Sequence, residues 1–196
     1  MRCSFIRHPA PAVACAAVLG LAVPGLAAAA SHPAPHAAAH HPTFHSSTRH
    51  RKSPASRWLA WNAKTHTATL TLIAGYNNAL GGFNFNGYGD GKMVIGVPVG
   101  THVAVHFSNK GQVAHSTIFT PYARRTSTSG FPLAFRGAST TDPTSGIMPG
   151  QAQRLSFVAS KTGTYALVCG VPGHEAAGMW DVFKVTAGGR PSITTH

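Results

Sequence analysis

GTYALVCGVPGHEAAGMWDVFKV, residues 163–185, holds two apolar runs around a loop of glycine, proline and small residues. The runs TYALVC and MWDVFKV are rich in β-branched and aromatic side chains, the composition of strands. Between them Gly170, Pro172, Gly173 and Gly178 rule out a continuous helical face. The segment therefore reads as strand, tight loop, strand. Cys169 closes the first strand, Met179 opens the second, and His174 lies midway between them, so the three stand at even five-residue steps. A loop that turns back between strand ends brings all three near one point.

The same strand character extends upstream. TATLTLIAG (67–75), KMVIGVP (92–98), THVAVHFSN (101–109), QVAHSTIFTP (112–121) and QRLSFVAS (153–160) are β-patterned runs, with glycine, proline and asparagine between them. Helical periodicity is absent, apart from a turn between residues 121 and 136. The expected fold is all-β: a single β-sandwich of seven or eight strands over residues 58–196. A domain of this length buries an adequate core without a disulfide. Of the three cysteines only Cys169 falls within it, Cys3 and Cys15 lying near the N-terminus.

That N-terminus has a different composition. Arg2 and Arg7 precede an apolar run from Val13 to Leu26, which ends in Ala27 to Ala30. A basic start, an apolar middle and a small-residue end describe a secretory signal over residues 1–30. It would deliver the chain to the periplasm or another extracytoplasmic space. The alternative is a retained membrane anchor, since Pro11 to Ala30 just reaches spanning length; Pro24 and the many alanines weigh against it. Residues 31–57, SHPAPHAAAHHPTFHSSTRHRKSPASR, carry six histidines and almost no large apolar side chain. Such a composition is that of a disordered linker.

Sixteen Lys and Arg face four acids, Asp90, Asp142, Glu175 and Asp181. Beyond position 57 the basic residues are scattered, with no basic helix and no interleaved aromatic platform, which argues against nucleic-acid binding. Scarce carboxylates suit an acidic medium, where native ion pairs are lost by protonation.

The loop carries the chemistry. Thiolate, imidazole and thioether form a soft donor set that suits copper rather than magnesium or calcium, and two His with one Cys and a weak Met make a blue-copper site. A second histidine must come from elsewhere. His115 is the best candidate, in the loop that enters QVAHSTIFTP. His102 and His106 are the rivals, but strand residues i and i+4 stand roughly 13 Å apart and cannot chelate one ion together. Other readings fail on residue identity. HEAAG lacks the second histidine of a zinc-protease helix, Gly178 standing in its place. Paired His-x-His ligands of a multicopper oxidase are missing, and Met179 has no role in a Cys-His hydrolase.

GGFNFNGYGDG (81–91), the His115-Ser116 pair, AFRGA (134–138), GIMPGQ (146–151) and CGVPGHEAAGM (169–179) together resemble the sulfocyanins, cupredoxins related in pattern to rusticyanin. The resemblance runs from Thr67 to Thr186, and F-N-F-N-G is its most specific part. It implies a cupredoxin-like Greek-key sandwich holding one type 1 copper through His115, Cys169, His174 and Met179. It further implies a monomeric electron carrier, not an enzyme, working with redox proteins such as a cytochrome c or a terminal oxidase in a respiratory chain. Many sulfocyanins keep an N-terminal membrane anchor, whereas the alanine-rich end here favours cleavage. Copper storage or delivery, with the His-rich linker as a loading arm, is the alternative function. Around the site Ser116 is a candidate donor to the cysteine sulfur, and Phe83 and Phe85 either shield the site or fill the core, the core being the assignment preferred. Glu175, the loop's one charge, is a candidate for steering a basic partner.

Overall fold

The computed structural model describes residues 57–196; the expected signal or anchor and the linker, up to residue 56, lie outside the described residues. Among the described residues nine strands form, in chain order: β1 Leu59–Asn62, β2 Thr67–Ala74, β3 Met93–Pro98, β4 His102–Asn109, β5 Ile118–Pro121, β6 Ala152–Val158, β7 Gly163–Val168, β8 Trp180–Thr186 and β9 Ser192–Thr195. They make two sheets, one in the order β1-β2-β4-β6 and the other β5-β7-β8-β3-β9. From β2 to β7 the chain changes sheet at every step, which leaves β2 parallel to β4 and β3 parallel to β8. The fold is thus an all-β sandwich with Greek-key crossings. Nine strands is one more than the upper expectation, and the two not among the seven quoted runs are β1 and β9, both four-residue edge strands.

Side-chain alternation builds the core. In β2 Ala68, Leu70, Leu72 and Ala74 point inward, and in β4 Val103, Val105 and Phe107 do the same. In the same core the Phe119 ring lies 4.7 Å from that of Phe157 and 5.0 Å from that of Phe183. The remaining inward position of β4 is Asn109, fully buried, and its amide has work there. Nδ2 donates to the carbonyls of Val113 and Ile147 while Oδ1 accepts from Gly111 N–H. Asn109 so ties down both loops that flank His115.

Asp181 on β8 is the core's second polar oddity. Met93 N–H donates to Oδ1 at 2.9 Å, and Oδ2 has no partner. Burial pushes its carboxyl well above the usual range, Asp90 adds to the rise, and the Met93 bond opposes it. A raised folded-state pKa means that the protonated form favours the fold. Asp181 therefore adds most stability in acid, and that contribution is lost as pH rises through the folded pKa. Asp181→Asn is expected to stabilise the protein at pH 7 by roughly 1–3 kcal/mol, read as a higher Tm. Near pH 3 the gain should vanish. A gain of equal size at both pH values would contradict the account.

Candidate metal centre

Three local constructions bring the donors together at one end of the sandwich. Cys169 N–H donates to the Met179 carbonyl at 3.1 Å, one rung beyond the β7–β8 ladder, so the ends of the loop are clamped side by side. Within the loop Met179 N–H donates to the His174 carbonyl at 2.9 Å, which turns the chain tightly around the histidine. His115 arrives from the other direction, just before β5. Its main chain exchanges two hydrogen bonds with Ile147, at 3.1 and 2.8 Å, in an isolated bridge.

The resulting geometry is compact. One donor atom each from His115, Cys169 and His174 lies within 4.8 Å of the others. His174 Nδ1 is 3.3 Å and His115 Nδ1 4.0 Å from Cys169 Sγ. His115 and Cys169 are buried and His174 half-buried, while Met179 is fully buried in the same apolar cluster as Cys169. No carboxylate belongs to the donor set. Two imidazoles and a thiol, with a thioether alongside, fit copper by softness and by number.

Electrostatics prepare the donors. Burial lowers the pKa of His115 to about 4, with His174 adding to the drop, and burial likewise lowers that of His174 against the opposing pull of Glu175. Both rings are therefore kept neutral, the form that ligates, into mildly acidic solution. Burial raises the Cys169 thiol, opposed first by the Ser116 main-chain amide. The metal-free sulfur thus keeps its proton, and metal binding must release it.

The structure distinguishes the histidines plainly. His102 and His106 project from the outer face of β4 and are exposed, so neither joins the set. Ser116 does reach the cysteine sulfur, but through its backbone: Ser116 N–H donates to Sγ at 3.3 Å. Its hydroxyl donates instead to the Pro143 carbonyl at 2.6 Å and accepts from Gly170 N–H at 2.8 Å, staying 3.8 Å from Sγ. Phe85 fills the core as expected. Phe83 packs against the edge of that core but lies half-buried with its ring 4.7 Å from that of His174, so it stands over the site rather than inside the core. The expectation for Glu175 is corrected. It is buried, with Oε2 unpartnered, and offers no exposed charge to a partner. Asn109 is the supporting residue that motif reading passed over, although the β4 alternation does put an amide at an inward position.

Residues 54–190 match the family described as the Sulfocyanin (SoxE) domain. The chain belongs to the sulfocyanin family. A curated relative named Sulfocyanin, from Sulfolobus acidocaldarius, is 32% identical over 129 residues, spanning 62% of this chain and 65% of its own length, just under two thirds. Among solved structures, auracyanin from Roseiflexus castenholzii has 23% identity and a TM-score of 0.42, covering 60% of this chain and 96% of that one. Rusticyanin from Thiobacillus ferrooxidans has 18% identity and a TM-score of 0.43, covering 66% and 88%. Sulfocyanins are blue-copper cupredoxins, a group of electron carriers. Family and donor set agree on the cofactor, one type 1 copper. Among the described residues no helix is long and apolar enough to cross a membrane.

Proposed function

We propose that this chain is a single-electron carrier whose copper is held by His115, Cys169, His174 and Met179. One observation carries the reading: an N, S, N set within 4.8 Å, buried at His115 and Cys169 and half-buried at His174, with Met179 enclosed beside it and no carboxylate present. When bound there, copper supplies a one-electron couple, taking an electron from a donor and passing it to an acceptor. The protein's part is rigidity. Cys169 and Met179 are clamped by one backbone bond and His115 by the Ile147 bridge, so the donors hold their places as the charge changes.

Electrons enter and leave beside His174. Around it Pro172, Gly173, Ala176 and Ala177 are exposed and uncharged, a small patch suited to brief encounters. The signal-like N-terminus and the family support a monomer working in an extracytoplasmic respiratory chain, against a cytochrome c or a terminal oxidase. Storage or delivery is disfavoured, because burial of His115, Cys169 and Met179 opposes ready exchange.

Copper titration with a visible spectrum tests the assignment. One equivalent and an intense blue thiolate-to-Cu(II) band are expected, and a colourless copper complex would overturn it. The docking patch has its own test. Ala177→Glu should slow the bimolecular reaction with the redox partner by about tenfold and leave the spectrum unchanged. An unaltered rate would place docking elsewhere.

A further inference from the structure

We infer that Phe83 is a positioning residue for His174, held in place by the F-N-F-N-G segment; the inference rests on the copper reading above. The segment begins as a repair of a sheet edge. β1 pairs with β2 only along Thr67–Leu70, which would leave the upper half of β2 unpaired on that side. Asn86 covers it. Its N–H donates to the Ile73 carbonyl at 2.8 Å, its Oδ1 accepts from Ile73 N–H at 2.7 Å, and its Nδ2 donates to the Thr71 carbonyl at 3.0 Å. A side-chain amide thus does what a neighbouring strand would do.

Asn84 secures the other side. Its Oδ1 accepts from the N–H groups of Tyr76 and Gly87, and its Nδ2 donates to the carbonyls of Asn77 and Ala79. Every hydrogen-bonding position of that buried amide is filled. Between the two asparagines Phe85 is plugged into the core at 0% exposure. The backbone is therefore fixed immediately after Phe83, and Phe83 itself leads out across the metal end.

There the ring meets both histidines edge to face. Its centroid is 4.7 Å from that of His174, with the planes at 70°, and 6.2 Å from that of His115, at 81°. Among the described residues the only side-chain hydrogen-bond contact of His174 is with Cys169 Sγ. His115 is seated by buried neighbours, whereas His174 stands on a surface loop, where its ring meets two aromatic edges, His115 at 5.0 Å and the nearer Phe83 at 4.7 Å. Phe83 is the one of the two that is not itself in the donor set. Phe83 also walls, with His115, a solvent cleft of about 260 Å³. The ring accordingly limits the approach of water and chelators from that side.

The test compares two phenylalanines in the copper-loaded full chain. Phe83→Leu is expected to shift the blue band and the copper hyperfine pattern in electron paramagnetic resonance. It should also speed copper loss to a chelator by roughly tenfold or more. Phe83→Tyr, which keeps the ring, should behave as the parent. Asn84→Asp, which removes both donated bonds, should move the spectrum in the same direction as Phe83→Leu. Phe85→Leu is the control: it should lower Tm more than Phe83→Leu while leaving band, hyperfine pattern and copper retention unchanged. A blue parent whose Phe83→Leu variant matches it in all three would overturn the inference alone. Spectral changes that simply track Tm in both leucine variants would also overturn it, by reducing Phe83 to a packing role. A parent without the blue band would fail the copper reading, and this inference with it.

Discussion

Cys169→Ala is expected to abolish the blue chromophore completely and to weaken copper binding by more than ~100-fold, beyond what loss of an outer partner costs. The sulfur is the hub of the site: His174 and His115 both approach it, and the Ser116 amide points at it. No other cysteine lies within residues 57–196, so nothing in the fold can replace the thiolate. The fold itself should survive. Alanine removes one buried atom, a loss of about 1 kcal/mol, while the backbone bond from residue 169 to the Met179 carbonyl remains. Absorption and copper affinity, measured beside the Tm of the metal-free protein, separate the two effects. An intensely blue Cys169→Ala protein would dismiss the ligand assignment.

Gly75→Ala is expected to destabilise the domain by about 3 kcal/mol, the sum of left-handed strain and overpacking. Gly75 follows β2 at φ 61°, where it approaches the loop after β4. A Cβ there would stand 2.3 Å from Gly111 Cα and 2.6 Å from its nitrogen. Both are backbone atoms, so no side chain can swing aside. Gly111 cannot retreat freely either, because it lies under His115 and bonds Asn109. The strain should therefore reach the metal site, lowering Tm by about 10 °C and broadening the blue band. Gly100 supplies the comparison: φ is 82° but nothing lies within 4 Å of its Cβ position. Gly100→Ala should cost only about 1 kcal/mol. Equal losses at the two positions would show that strain alone, without crowding, explains the first.

Local sequence was enough for the half of the site that is local. Cys169, His174 and Met179 lie on one loop whose ends are neighbouring strands, so their spacing already implies convergence. Period-two patterns likewise announced β2 and β4, because each has one face in the core and one in water. The same phase turns Val103, Val105 and Phe107 inward, and His102 and His106 outward.

Tertiary structure decided whatever depended on contacts between distant segments. His115 is 54 residues from Cys169, and the β5–β7 pairing, the Ser116 bonds, the Ile147 bridge and the Asn109 amide together seat it in range. Ser116 is the donor to the sulfur that its place in the sequence suggests, but which of its groups donates is a tertiary matter: Pro143 and Gly170 engage the hydroxyl and leave the backbone amide to face the sulfur. Phe83 and Phe85 stand two apart and would share a face in a strand. Phe83 takes φ −83° and ψ 65°, outside the strand region, so the two rings part, one to the core and one to His174. Glu175 is the loop's one charge, but its small neighbours let the loop pack closely enough to bury it. Composition and spacing determined the fold class and the chemistry of the donors; which atoms meet depended on backbone angles and on long-range hydrogen bonds that no short stretch encodes.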